Sequence, residues 1–430
     1  MGIKYPINNT MVLRAVKIRL YPNKQQQAEI NKILGSYRYV YNYTLALKNN
    51  AYKNDGANLG LKDLSLNYHN ILLKQPEMEW LRLVNTKIMK QAIRQMLTAY
   101  KNFFNHTAGF PKFKSKKDTI QSALFPIEAI SKKNTFNTKH ISLITTLKHI
   151  SFRCSNLQFS RLQRFKDNIR NATMLKTKTG KYFLSVLIEM PDEEYRQFKH
   201  TGNDVGIDLG VKDFVITSDG EVFENKRFLT RQKEKIAKLQ RQLSKKKKGS
   251  KNREKAKIRL AKAFEKQVAQ REDYIQKVAN SLLSDYDYVF MEDLNVDGML
   301  KSHNLARAIS EMGFYRFKTV LVDKASLNGK RVVCVSRWFP SSKRCHNCGY
   351  VYRGLTLNER EWICPVCGVH HDRDANAAVN ILMEGERIIG VRSTEFTLVE
   401  NPTMDDKEII PLKSSGSLKQ EITCDKLPIS

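Results

Sequence analysis

Nineteen residues, CPVCGVHHDRDANAAVNIL (364–382), hold two cysteines, two adjacent histidines and two aspartates. Such a set can serve two metals with different tasks. Thiolates are soft ligands that suit a structural zinc, whereas carboxylates suit a hard cation. Cys364 and Cys367 form a CxxC pair, and a second pair, Cys345 and Cys348, precedes it with fifteen residues between the two. Each CxxC knuckle brings two thiolates to one side of a tight turn, and two knuckles complete a tetrahedron. Gly349 and Gly368 directly follow the second cysteine of each pair and permit the backbone to turn there. The spacing predicts one structural zinc per chain. Four thiolates close such a site, so His370 and His371 are expected to be surface or packing residues.

Three carboxylates on separate elements suggest a reaction. Asp208 stands between Ile207 and Leu209 in an apolar strand and projects from the opposite face. Glu292 closes the apolar run YVFME, and Asp374 opens the helical stretch DANAAVNIL. A buried carboxylate is costly unless paired or bound to a cation, and strand ends in open sheets are where ligand sites collect. An aspartate before a helix is by itself most often a cap. As a constellation, the three suit two Mg²⁺ ions, which prefer oxygen ligands and keep several waters. Such a pair hydrolyses phosphodiesters by activating a water and stabilising the leaving oxygen.

The charge agrees with that chemistry. Across 430 residues, 74 Lys and Arg face 43 Asp and Glu, a net charge of +31. An excess of this size repels itself without a polyanionic partner, so nucleic acid or an anionic membrane is expected. No apolar run is long enough to span a bilayer, and MGIKYPINNTMVLRAVKIRL lacks the uninterrupted apolar core of a signal peptide. These features predict a cytoplasmic, nucleoid-associated protein with no membrane partner. The cysteines fit a reducing compartment, where CxxC pairs bind metal rather than form disulfides.

The elements that must position these residues show in the periodicity. VLRAVKIRLY (12–21) alternates, with Val16, Ile18 and Leu20 on one face and Lys17 and Arg19 on the other. A helical period then runs from Lys24 to about Tyr52 with a break expected at Gly35, and another from about Asn85 to Phe104. GFPKFKSKK (109–117) is a loop in which Lys112, Lys114, Lys116 and Lys117 alternate with aromatics, a pattern that stacks bases while holding phosphates. Residues 141–190 read as β-strands, including all of HISFRCSNLQFS, and 191–204 as a linker. VGIDLGVKDFVITSDGEVF predicts two strands joined as a hairpin by SDG. Residues 226–285 predict two helices broken near KKKKGSKN, and residues 286–294 and 330–339 two buried strands. Within 225–262, 17 Lys and Arg accompany only Glu234 and Glu254. Ile236, Leu239 and Leu243, with Ile258 and Leu260 on the return helix, are expected to dock this pair on a core. Lys245, Lys246, Lys247, Lys248, Lys251 and Arg253 are the candidate phosphate contacts. A solvated charge run is the plain alternative.

In order, GIDLGVKDF, YVFMEDLNV, FPSSKRCHNCG and CPVCGVHHDRDANAAVNIL resemble the RuvC-like nuclease domain of the transposon-encoded TnpB proteins, relatives of the compact type V CRISPR effectors. AVKIRLYPNKQQQAEINKILGSYRYVYN and GFPKFKSKK match the family's N-terminal half, so the resemblance spans about residues 12 to 385. It implies an α+β multidomain fold. A wedge-like oligonucleotide-binding β-barrel (11–22 and 121–200) would carry a helical recognition insert (23–120). An RNase H-like (RuvC) α/β domain (203–340) would follow with its basic helical hairpin (226–285), then a four-cysteine zinc ribbon (341–372) and a last RuvC segment (373–385). Residues 386–430 are expected to be a disordered tail.

The resemblance also implies cleavage of double-stranded target DNA, directed by a guide RNA from the transposon end, beside a short target-adjacent motif. The family's catalytic residues fall on Asp208, Glu292 and, through its Asp-x-Asn-Ala-Ala pattern, Asp374, which leaves Asp372 a neighbour rather than a ligand. Gln276 stands where the family often has His, a departure without catalytic weight. Two alternatives stay open: a non-cleaving RNA-guided DNA-binding regulator, which loss of a carboxylate would mark, and a transposase acting without guide RNA.

Overall fold

The computed structural model describes residues 11–390 except 131–135, 137, 145, 302–305 and 357–358. Residues 1–10 and 391–430, and with them most of the expected tail, lie outside the described residues. The chain divides between Glu194 and Tyr195 into two compact units. Among the described residues, no helix is long and apolar enough to cross a membrane.

In the first unit, β1 (Met11–Tyr21) is followed by α1 (Lys24–Asp55), α2 (Leu61–Asn70), α3 (Glu79–Arg82) and α4 (Thr86–Phe104). Then come β2 (Ile120–Pro126), β3 (His140–Ile141), β4 (Ile150–Arg153), α5 (Asn156–Arg164), β5 (Ile169–Thr177) and β6 (Tyr182–Pro191). The alternation read in β1 holds, because Val16, Ile18 and Leu20 are buried while Arg19 reaches out to the Tyr182 carbonyl. The strands form one sheet in the order β2-β5-β6-β1-β4-β3. Its edges, β2 and β3, do not pair with each other among the described residues, so a sheet is shown and a closed barrel is not. Two local expectations are corrected. Gly35 does not break α1, which runs through it without interruption. The SNLQFS half of an expected strand is helix α5, because Ser155 and Gln158 form a reciprocal capping box that starts a helix there.

A short helix, α6 (Asp192–Tyr195), leads to the second unit. Its strands are β7 (Asp204–Asp208), β8 (Asp213–Thr217), β9 (Val222–Glu224), β10 (Tyr288–Glu292) and β11 (Arg331–Val335). The intervening helices are α7 (Phe228–Ser244), α8 (Lys251–Asp285), α9 (Val296–Leu300), α10 (Ala306–Met312) and α11 (Phe314–Leu327). The order β11-β10-β7-β8-β9 has β10 parallel to both β7 and β11, and β7, β8 and β9 antiparallel in series. Three strands thus stand where the sequence suggested one hairpin of two. A ribbon of two short strands, β12 (Glu361–Ile363) and β13 (His370–Asp372), precedes the last helix, α12 (Arg373–Ile389). Residues 386–389 therefore belong to a helix and not to a tail.

The central sheet is covered on both faces. Val205, Ile207, Val289 and Met291 pack into one cluster with Ile275, Leu282, Phe317 and Leu321 of α8 and α11. Phe290 and Val335 pack with Ile381 of α12 in a second cluster. Fully burying side chains of this size stabilises the fold by about 1.5–3 kcal/mol each. Two glycines let α12 lie against the sheet without a gap. A Cβ at Gly206 in β7 would stand 2.2 Å from the Ala378 carbonyl oxygen and 2.5 Å from the Leu382 nitrogen. A Cβ at Gly385 would stand 2.1 Å from the Phe290 ring.

Candidate catalytic and metal sites

Strand order brings two of the sequence-predicted carboxylates together. β7 and β10 are adjacent and parallel, with Met291 opposite Ile207, so the next residues, Glu292 and Asp208, leave the sheet at the same end. Asp374 lies in the first turn of α12, the helix clamped across β7 by Gly206. Asp208 feels the charges of the other two. Burial, then the charges of Asp374 and Glu292, push the Asp208 carboxyl up to about 7, against a downward pull from Arg373. Burial also raises Glu292, although a hydrogen bond with Ser341 opposes the shift.

Asp374 and Asp372 are distinguished by their partners. Asp372 is the N-cap of α12, and its Oδ1 accepts from the Asp374 nitrogen at 3.0 Å and the Ala375 nitrogen at 2.8 Å. Asp374 instead points its carboxylate at two guanidiniums, Arg360 and Arg373, the second at 2.9 Å. Arg360 lies just before β12 and Arg373 begins α12. Sequence reasoning missed both, although the DRD run already sets Arg373 between the two aspartates. Asp293 follows Glu292 yet is committed elsewhere: Lys318 and Arg337 bind its two oxygens and hold it below the usual carboxylate range.

The four cysteines meet in the ribbon. Their sulfurs lie within 4.8 Å of one another, the one set of potential ligand atoms among the described residues to do so. The two knuckles repeat one backbone pattern. Gly349 and Gly368 donate to the Cys345 and Cys364 carbonyls, each at 2.9 Å, with φ of 80° and 71°. Side chains rarely adopt that left-handed conformation, which explains glycine at both positions. Cys345 to Cys367 and Cys348 to Cys364 are each 3.6 Å, sulfur to sulfur. Tetrahedral Zn–S bonds of about 2.3 Å require sulfurs about 3.8 Å apart, so the donor set fits zinc. The Val369 N–H and the Asn347 side chain lower the Cys367 thiol from its ordinary range, which favours the thiolate form that a metal takes. His371 is a packing residue, 2% exposed, with its Nε2 3.1 Å from the Cys345 sulfur, and His370 faces solvent.

The ribbon is tied to α12. Asn376 and Asn380, buried in α12, donate to the Arg344 carbonyl at 2.8 and 2.6 Å, and Asn380 also reaches the Ser341 carbonyl at 2.9 Å. The segment from Ser341 to Arg344 therefore links Glu292, the first knuckle and α12.

The basic candidates separate by exposure. Lys112, Lys116 and Lys117 are exposed beside the open rings of Phe110 and Phe113. Lys114 turns inward instead, lying over the Tyr41 ring at 4.0 Å and donating to the Gln95 side chain at 2.5 Å. Lys245, Lys246, Lys247, Lys248 and Lys251 are exposed at the hairpin turn. Arg253 closes that turn by donating to the Leu243 and Lys246 carbonyls at 3.0 and 2.7 Å. Ile236 is buried, as expected, but Ile258 is exposed, in a stretch of α8 that has no buried residue before Ala263.

Three family models match the chain: the IS605 OrfB family described as "Probable transposase" over residues 185–303, the "Cas12f1-like, TNB domain" over 314–381, and a "Helix-turn-helix domain" over 11–57. The last span folds as a strand and one helix. A protein of Streptomyces pristinaespiralis named "Putative RNA-guided DNA endonuclease" is 34% identical over 374 residues, covering 87% of this chain and 90% of the relative. InsQ of Escherichia coli (strain K12), with the same description, is 28% identical over 395 residues, covering 88% of this chain and 93% of the relative. The chain belongs to the TnpB family, the OrfB proteins of IS605-type elements. Its fold is similar to Cas12f1 in the cryo-EM structure of the Cas12f1–sgRNA–target DNA complex, with a TM-score of 0.53 over 86% of this chain and 98% of that one, at 13% identity.

Proposed function

We propose that this protein is an RNA-guided DNA endonuclease of an IS605-type element, hydrolysing target DNA at Asp208, Glu292 and Asp374. The observation that carries the reading is that Asp208 and Glu292 end neighbouring parallel strands at the same edge, with Asp374 of α12 close enough to raise Asp208. The strand order supports an RNase H-like domain, and the first unit's sheet supports a wedge that supports a helical recognition insert. Oxygen donors of this kind fit Mg²⁺, which would activate a water and stabilise the leaving oxygen.

The chain's own residues prepare that site. Arg360 and Arg373 hold Asp374 in place and offset the repulsion among three carboxylates. Ser341 orients Glu292. The thiolate cluster holds one zinc, which fixes the ribbon from which Arg360 reaches Asp374. The exposed lysines at the turn between α7 and α8 lie along the backbone of the guide RNA or its duplex with the target, and Lys112, Lys116 and Lys117 hold a second stretch of strand.

The test is to express the protein with the ends of its element, sequence the RNA that copurifies, and challenge the complex with duplexes matching that guide. Mg²⁺-dependent cutting should follow the guide when its sequence is changed. Cutting that ignores the guide, or purified protein carrying no RNA, would overturn the reading.

A further inference from the structure

Gly35 lies mid-helix in α1, where glycine is a poorer helix former than alanine. No neighbour explains its presence, since a Cβ there meets nothing within 4 Å. What its missing side chain leaves open is a recess of about 480 Å³ in the first unit, within the roughly 300–1,000 Å³ range of small-ligand sites.

The walls are aromatic. Tyr37 and Tyr41 turn into the core, whereas Tyr39 and Tyr43 occupy the neighbouring stripe of α1 and line the recess. The rings of Tyr39 and Tyr43 stack at 6.4 Å and 13°. Trp80 of α3 meets Tyr39 edge-on at 5.3 Å and remains 38% exposed. These walls are held in place. The Tyr43 hydroxyl donates to Asn67 at 2.8 Å, and the Asn42 amide pairs twice with the Lys114 backbone, at 2.9 and 2.8 Å. At the floor, the buried Ser36 hydroxyl has no hydrogen-bond partner. Lys32 and Arg38 line the same recess, and among the described residues neither is paired with a carboxylate.

Aromatic faces with unpaired cations and no acid suit a flat ring that carries negative charge beside it. We propose that this recess receives an unpaired nucleobase, stacked on Tyr39 and Trp80, with its flanking phosphates on Lys32 and Arg38. Glycine is used at position 35 because any side chain there would occupy the base's place. The proposal rests on the nucleic-acid reading above.

The test measures the full chain binding two labelled single strands of equal length, a thymidine tract and an abasic tract. Base stacking contributes about 1–3 kcal/mol, so the Tyr39→Ala/Trp80→Ala variant should bind the thymidine tract roughly tenfold more weakly and the abasic tract unchanged. Gly35→Leu should do the same with a melting temperature equal to or above wild type, because leucine is the better helix former, so lost folding could not account for it. Gly35→Leu binding the thymidine tract as wild type does would overturn the proposal. So would wild-type protein binding both tracts equally, and the nucleic-acid reading would then stand. Wild type binding neither tract would overturn both.

Discussion

Asp372 accepts two backbone N–H groups at the start of α12, while Asp374, two residues on, faces two guanidiniums and the carboxylates of the sheet. Their substitutions should therefore separate. Asp374→Ala should abolish cleavage and leave DNA binding nearly intact, since the metal acts on the transition state. Asp372→Ala should cost about 1 kcal/mol of stability, the usual worth of an N-cap, with cleavage retained. A dead Asp372→Ala beside an active Asp374→Ala would move the assignment by two positions. In the ribbon, Cys364→Ser together with Cys367→Ser should release about one zinc per chain, measured by elemental analysis; unchanged zinc would remove the cluster from consideration. The four cysteines that meet in the ribbon and the two carboxylates at neighbouring strand ends were legible because their types are few and their spacings regular. Their partners were not. Nothing in the sequence says that Arg360 reaches Asp374, or that Lys114 folds under a tyrosine ring while Lys112 stays in solvent. Such pairings are fixed by tertiary geometry, which spacing does not encode.

At the scale of elements, strands and helices with strong periodicity were readable, and the misreadings had local causes. The capping box at Ser155 outweighed an alternating pattern, and the tertiary packing of α1 carried the helix through Gly35. Glycine ordinarily weakens a strand, yet at Gly206 it is what lets α12 touch β7. Gly206→Ala should push α12 from the sheet and lose most cleavage without altering a ligand, whereas full activity would mean that the helix position does not matter. Another such position is Asp287, in the turn leading to β10. It accepts from the Thr201 and Gly202 nitrogens and from Lys330, whose side chain is fully buried. Those partners hold its carboxyl below the ordinary range. Its contribution is thus present above the unfolded aspartate value near about 4 and is lost as pH falls through the folded one. Asp287→Asn should destabilise the protein by roughly 3 kcal/mol at neutral pH, the cost of breaking a buried pair. The difference from wild type should shrink in melts below about pH 4; a difference independent of pH would mean that the charge is not what stabilises.

For the molecule as a whole, the net charge of +31 is spread unevenly, and residues 225–262 carry a large share of it. Replacing Lys245, Lys246, Lys247 and Lys248 together by Gln should weaken nucleic-acid binding for every sequence without changing which site is cut. Each lost phosphate contact should also flatten the plot of log affinity against log salt by about 0.7–0.9. Parallel plots at equal affinity would show that the lysines are merely solvated. The seam between β7, β10 and α12 has a different consequence. Two positions there admit no side chain at all, since Gly206 and Gly385 would each drive a Cβ into atoms that have nowhere to go. A saturation library selected for cleavage should find them as intolerant as Asp208 or Glu292, although neither has a group that could touch DNA. A tolerance map alone would score them as chemistry. Only a stability readout beside the activity would sort the proposed carboxylates from the two positions whose emptiness lets α12 lie on the sheet.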